Sequence, residues 1–88
     1  MTKKDPISLF SNMTHLVDKS SPVPLYFQIS EAMFDGIKKM QLDPHTRIPP
    51  EDELARIFGV SKMTMRQALG KLVSDGILVR RKGSGTFI

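Results

Sequence analysis

The stretch from Pro49 to Gly76 constrains the fold more than any other part of the chain, because its prolines and glycines leave room for two short helices and one tight turn. Pro49 and Pro50 keep the residue before each of them out of helical geometry, and Pro50 opens a helix over about Glu51 to Phe58. Glu51, Asp52 and Glu53 crowd its first turn, where the helix dipole favours carboxylates. Gly59 stops it, with the freedom in φ that a three- to four-residue turn demands. Ser61 is placed to cap a further helix over about residues 62–75, and Gly76 ends that one. Met65, Ala68, Leu69, Leu72 and Val73 gather on one side of this second helix, a compact i, i+3, i+4, i+7, i+8 face. Ala55 is the small residue at which the two helices cross, and Val60 and Met65 plug the angle between them.

A small residue, a glycine four positions later and an apolar residue six beyond that is the spacing of a helix-turn-helix, a moderately specific pattern by itself. Upstream, Leu25, Ile29, Met33, Ile37 and Met40 recur as the stripe of a four-turn helix, which Asp43-Pro44-His45 ends. Thr46-Arg47-Ile48 is a short extended piece. Near the N-terminus, Asp5 as cap and Pro6 at the first helical position start an amphipathic helix over roughly residues 6–17, carrying Leu9, Phe10, Met13, Leu16 and Val17. Lys19-Ser20-Ser21-Pro22-Val23-Pro24 is a linker. So short a helix is marginal alone, so its apolar stripe is expected to dock on its own domain or on another copy. Downstream, Ile77-Leu78-Val79 and Thr86-Phe87-Ile88 are the strands of a hairpin whose tip is Arg80-Arg81-Lys82-Gly83-Ser84-Gly85. The expected fold is mainly α with a small β-hairpin. Residues 23–88 form a winged helix-turn-helix of three helices plus a wing, and residues 1–22 are an extension with a short extra N-terminal helix.

Composition narrows the chemistry. Eighty-eight residues suffice for one small core and leave no space for a cofactor-binding sheet or a deep substrate cavity. Zero cysteines exclude disulfides, thiolate metal sites and cysteine nucleophiles together. His15 and His45 are too few and too far apart in sequence for a metal site, and Gly83-Ser84-Gly85 lies in a hairpin rather than between a strand and a helix, where a phosphate cradle would be. The cluster Glu51-Asp52-Glu53 imitates a catalytic carboxylate pair, but complementation of the helix dipole accounts for it. The expectation is a chain that is no enzyme and takes no cofactor. No stretch approaches the ~20 apolar residues of a membrane span, and no signal-peptide h-region is visible, so a cytoplasmic location without a membrane role is expected.

The charge distribution says more than the total. Residues 1–60 carry 7 basic and 8 acidic side chains, whereas residues 61–88 carry Lys62, Arg66, Lys71, Arg80, Arg81 and Lys82 against Asp75 alone. All of the net +4 therefore lies in the last third of the chain, which suggests a polyanionic partner, nucleic acid before an anionic membrane. On the helix of residues 62–75, Lys62, Met63, Arg66, Gln67 and Lys71 occupy the side opposite the apolar face. Lys62, Met63, Thr64, Arg66 and Gln67 fall in its first two turns, the part that reaches base edges in a major groove. Arginine can bridge guanine O6 and N7, glutamine can pair with adenine, and Ser61, Thr64 and the helix N-terminal amides suit phosphate oxygens. Arg80, Arg81, Lys82, Gly83, Ser84 and Gly85 then lie where a wing would meet the adjacent minor groove.

Residues 24–88, 65 of the 88, resemble the winged helix-turn-helix domain of the GntR-type bacterial transcription regulators. The matching words are Pro24-Leu25-Tyr26 with Gln28-Ile29, Ile48-Pro49, Glu53-Leu54-Ala55, Gly59 through Leu69, and Arg80 through Phe87. The opening Pro-Leu-Tyr and the closing Gly-Ser-Gly-Thr-Phe are most similar to the HutC-like branch. The resemblance implies sequence-specific binding of double-stranded DNA at a short inverted-repeat operator, two copies to a site. It also implies that ligand sensing and the main pairing of copies belong to an effector domain beyond these residues. This chain is thus expected to carry no small-molecule effector site and to form at most a weak homodimer. Four positions depart from the family pattern. Asp52 stands where an arginine usually touches DNA phosphate, Lys62 replaces a common arginine and loses its bidentate geometry, Pro50 replaces a capping serine, and His45 replaces a turn glycine. The alternative reading is a winged helix used as a protein-interaction module, whose mark would be an apolar exposed face on the helix of residues 62–75.

Overall fold

A computed structural model describes residues 5–88. Helix α1 spans Pro6–Ser11 and is followed by a single 3-10 turn at Thr14–Leu16; α2 spans Leu25–Lys39, α3 Glu51–Phe58 and α4 Lys62–Ser74. Strands β1 (Val79–Arg81) and β2 (Gly85–Phe87) pair antiparallel in the register Val79 with Phe87, Arg80 with Thr86 and Arg81 with Gly85. The expected order of helices and hairpin is present.

The three larger helices end in the same way. After α3, the Val60 N–H donates to the Ala55 carbonyl at 3.0 Å and the Gly59 N–H to that of Arg56 at 3.2 Å. After α4, Ile77 donates to Leu72 at 2.9 Å and Gly76 to Val73 at 3.0 Å. These crossed bonds are the Schellman closure, which needs a left-handed residue, supplied by Gly59 (φ 67°) and Gly76 (φ 78°). At the end of α2 the same closure runs from Leu42 to Ile37 and from Gln41 to Lys38, both at 3.2 Å, with Gln41 itself left-handed at φ 50°. This corrects the expected stripe of α2. Met40 lies past the last helical residue and is exposed, while the closure turns Leu42 back into the core in its place.

The N-terminal helix is shorter than the expected residues 6–17. Asp5 caps it as expected, accepting from the Ile7 N–H at 3.1 Å. Beyond Ser11, however, the Thr14 hydroxyl donates to the Ser11 carbonyl at 3.3 Å, and Met13 leaves helical geometry at φ −111°, ψ 9°. Local side-chain bonding of this kind competes with helix continuation. The break aims Met13 at α2, where its Cε occupies the space that a Cβ on Gly36 would need. Phe10 and Met13 are both buried in the same core as α2, α3 and α4, whereas Leu16, beyond the break, is exposed. The connection to α2 is also tied down. The Gln28 side chain accepts from the Asp18 N–H at 2.7 Å and donates to the carbonyls of Asp18 (3.0 Å) and Val23 (2.8 Å). Lys19 Nζ donates to the Gly59 carbonyl at 2.6 Å. Hydrogen bonds from the Ser20 hydroxyl and N–H hold the Asp18 carboxyl below its ordinary pKa.

The core is one cluster. Ile29, Met33, Leu54, Met65, Leu72 and Leu78 are fully buried with Phe10, and the one buried polar side chain among the described residues, Ser30, donates to the Phe27 carbonyl at 2.8 Å. The segment 45–48 adds a third, partial strand to the hairpin. Ile48 donates to Thr86 at 2.9 Å, Ile88 to Thr46 at 2.9 Å and His45 to Ile88 at 2.8 Å, with Arg47 bridged to Phe87. His45 adopts φ 70°, left-handed geometry that a glycine would take without strain.

Because a six-residue helix has little stability of its own, docking through Phe10 must hold α1 in place. Phe10→Ala is expected to lower stability by about 3 kcal/mol, the low end for such a truncation, because α1 can undock instead of leaving a cavity. Thermal unfolding together with amide exchange over residues 7–13 checks this, and protection there should fall with the melting temperature.

Candidate nucleic-acid interface

The turn at Gly59 delivers the chain to Ser61, which sits at φ −71°, ψ 158° and accepts the Thr64 N–H on its Oγ at 3.1 Å. The Ser61 hydroxyl donates in turn to Thr64 Oγ1 at 3.0 Å, so both short polar side chains are engaged at the first turn of α4. From this cap, Met65, Ala68, Leu69 and Leu72 run into the core, and Lys62, Met63, Arg66 and Gln67 face outward. The expected division of the helix into a buried apolar side and an outward side is thus present, and Met63 on the outward side is 69% exposed. Thr64 is half-buried. Lys71 lies at the far end of the helix, paired with Asp75 at 2.8 Å, and that carboxylate holds its ammonium above the ordinary pKa.

Two cations of this outward side are already paired with α3. Arg66 places Nη2 at 3.1 Å from Glu51 Oε1 and Nε at 3.3 Å from both Glu51 oxygens, and this hydrogen bonding with the attending charge raises the guanidinium pKa further. Lys62 Nζ lies 3.2 Å from Asp52 Oδ1. These pairs were not part of the sequence reading, which assigned the acidic cluster to the helix dipole. Their signal is the facing of α3's first turn with the first turns of α4, a consequence of the crossing angle rather than of local spacing.

The wing differs from its expected layout. Arg80 and Arg81 are strand residues of β1 and not part of the tip, which is Lys82-Gly83-Ser84, closed by the Ser84 N–H donating to the Arg81 carbonyl at 2.9 Å. The earlier apolar residues Ile77 and Leu78 complete the α4 closure and the core instead of pairing in the hairpin. Arg81 lies over the Phe87 ring, 5.8 Å from its centroid. Arg47 is a further cation here that sequence reasoning missed. The bridge to Phe87 carries it onto the wing sheet, where its guanidinium covers Gly85 so closely that a Cβ there would lie 2.8 Å from Arg47 Nε. No pattern around residue 47 announces this, since its partner strand lies about forty residues away in sequence.

Among the described residues no group of three or more His, Cys, Asp or Glu side chains could hold a metal ion, and no helix is long and apolar enough to cross a membrane. The family model for bacterial regulatory proteins of the gntR family matches residues 25–88. The chain belongs to the GntR family. Residues 25–88 are a winged helix-turn-helix DNA-binding domain of a transcription regulator. This GntR-family chain is 49% identical over 72 residues to the HTH-type transcriptional repressor NagR of Bacillus subtilis, covering 82% of this chain and 30% of NagR. It is 43% identical over 70 residues to the histidine utilization repressor of Klebsiella aerogenes, covering 80% of this chain and 29% of that protein. The chain thus spans about 30% of the length of these relatives. Its fold superimposes on YtrA of Sulfolobus acidocaldarius, a GntR-family transcription factor, with a TM-score of 0.75 at 30% identity over 82% of this chain and 76% of that one. It superimposes on the AraR DNA-binding domain in complex with an operator with a TM-score of 0.71 at 39% identity over 81% and 87% of the two chains.

The first turn of α4, and with it the outward side of the helix, starts from the cap at Ser61. Ser61→Ala is expected to cost about 1 kcal/mol and to loosen the first turn of α4 before the rest of the helix. Thermal unfolding should show the loss, and amide exchange should place it at Thr64 and Met65.

Proposed function

We propose that this domain reads a short inverted-repeat operator in double-stranded DNA, one copy to each half-site, as the DNA-binding part of a bacterial transcriptional repressor acting in the cytoplasm. The observation that carries this reading is an outward polar helix end and a basic wing within one stretch of chain. The outward, polar first turns of α4 and the basic wing both fall within residues 61–88, which hold the entire excess of positive charge. In the proposed pose, the first two turns of α4 enter the major groove. Arg66 and Gln67 address base edges, Lys62, Met63 and Thr64 line the same groove, and Ser61 with the α4 amides receives a phosphate. Lys82, Gly83 and Ser84 at the tip, flanked by Arg80, Arg81 and Gly85, follow the neighbouring minor groove and backbone.

The pairing of Arg66 with Glu51 is compatible with this role. Glu51 takes the Nε–Nη2 edge of the guanidinium, which leaves the Nη1–Nη2 edge for the O6 and N7 of a guanine. Held on one side by a half-buried carboxylate, the arginine meets the base with less side-chain freedom left to lose. The family resemblance to NagR and to the histidine utilization repressors supports repression as the outcome of binding. A protein-interaction role is disfavoured because the outward side of α4 is polar and charged except for Met63.

Two measurements test the proposal. If a two-copy site engages about eight phosphates, log K should fall against log salt with a slope of roughly −7; binding indifferent to salt would remove the electrostatic basis of the reading. Arg66→Ala should cost about 1–3 kcal/mol on the selected site and relax one base position, whereas Arg81→Ala and Lys82→Ala should weaken all sequences evenly. Binding-site selection with each variant compares the two patterns. An Arg66→Ala protein of unchanged base preference would assign the reading to other side chains.

A further inference from the structure

Charge on the reading side of α4 sums to nothing. Lys62 and Arg66 face outward from its first two turns, and Asp52 and Glu51 face them from the first turn of α3 at 3.2 Å and 3.1 Å. The two pairs are built differently. Glu51 is largely covered, its side chain 25% exposed, and it meets Arg66 through two nitrogens. Asp52 and Lys62 are 61% and 66% exposed and meet through one contact. Asp52 has no other hydrogen bond among the described residues, and α3 starts from Pro50 with no side-chain cap. It makes no cap bond, and its part in the fold is that of an exposed first-turn carboxylate on the helix dipole. What it does is place a carboxylate beside the one cation of the reading side that no covered partner orients.

From this we infer that Asp52 is a specificity determinant that acts against DNA in general. The inference rests on the DNA-binding reading above. A lysine is a point charge that gains affinity on any phosphate by releasing a counterion, whatever the sequence. With Asp52 beside it, Lys62 brings no net charge to a phosphate: the cation that leaves the phosphate is balanced by one drawn to the freed carboxylate, and no net counterion is released. Arbitrary duplex therefore gains little from α4 and is held chiefly by the wing cations Arg80, Arg81 and Lys82. An exposed pair of this kind costs little to separate, so a site whose base edges fit α4 still recruits it. Asp52 lowers both affinities but lowers the sequence-independent one more, and the ratio between a fitting site and the remaining DNA rises.

The test compares the wild-type chain with Asp52→Asn on two duplexes of equal length, one of random sequence and one obtained by binding-site selection, across a salt series. Removing the charge at constant shape should tighten the random duplex roughly fivefold and steepen its salt slope by about 0.9, the value of one added phosphate contact. The selected duplex should gain less, so the ratio falls. In a Lys62→Gln background the same substitution should gain nothing, because the freed cation is absent; thermal unfolding of each variant checks that the fold is kept. Unchanged affinity and slope on random duplex, an equal gain on both duplexes, or a gain that persists without Lys62 would each overturn the inference. A wild-type chain and an Asp52→Asn chain that both ignore duplex DNA would instead bring down the DNA-binding reading itself, and this inference with it.

Discussion

The left-handed turn at Gly59 is the point from which the rest of the reading surface is placed. Its two crossed hydrogen bonds end α3 after eight residues and release the chain toward Ser61, from which α4 packs on α3. Met65 then enters the angle between the helices with no exposed surface, and every outward residue of α4 follows from that burial by helical period. A Cβ at position 59 would impose left-handed strain on the turn. The Lys19 ammonium that caps the Gly59 carbonyl ties this same turn to the N-terminal segment. The placement of α4 thus depends on a backbone conformation first and on side-chain packing second.

That dependence explains what could be read along the chain. Gly59, Ser61, Gly76 and the five-residue apolar face of α4 are local signals, each acting within a turn or two, and the structure has them where local rules place them. The ends of α1 and α2 obey a different logic. Met40 continues the apolar period of α2, yet the helix closes at Lys39 because Leu42 gains more by turning back into the core; a glycine at position 41 would have announced this, and Gln41 does not. Met13 likewise continues the period of α1, but its place is decided by a gap on Gly36 in another helix. The third strand at residues 45–48 and the docking of Arg47 on Gly85 join segments about forty residues apart, which no window on the sequence contains. The GntR resemblance carries the overall fold across that distance, and individual contacts such as these remain the structure's to place.

Electrostatics shows the same division between what is counted and what is placed. A count puts an excess of positive charge in residues 61–88 and near balance before them. Folding then brings Glu51 and Asp52, both from the balanced part, against Lys62 and Arg66. The surplus that faces outward is thereby shifted from α4 toward the wing, where Arg80, Arg81 and Lys82 have no ion-pair partner among the described residues and Arg47 joins them from the neighbouring strand. Two surfaces of similar composition come to differ in kind, one neutralised and shaped, the other basic.

This difference suits the two tasks a DNA-reading domain must separate. Phosphates are the same at every step of a duplex, so a surface that binds them by charge alone cannot distinguish one site from another. Base edges differ, but a long flexible cation pays side-chain entropy on meeting one and will take a phosphate instead if nothing restrains it. On the proposed reading, the wing, whose Arg81 rests on the Phe87 ring with its charge unneutralised, serves the first task. The first turns of α4, with Arg66 held by a covered carboxylate and Lys62 matched by an exposed one, serve the second on the same reading. The arrangement needs the acidic first turn of α3 and the basic first turns of α4 to face each other across one tight turn. The glycine that sets the crossing angle therefore also sets the charge of the outward face of α4.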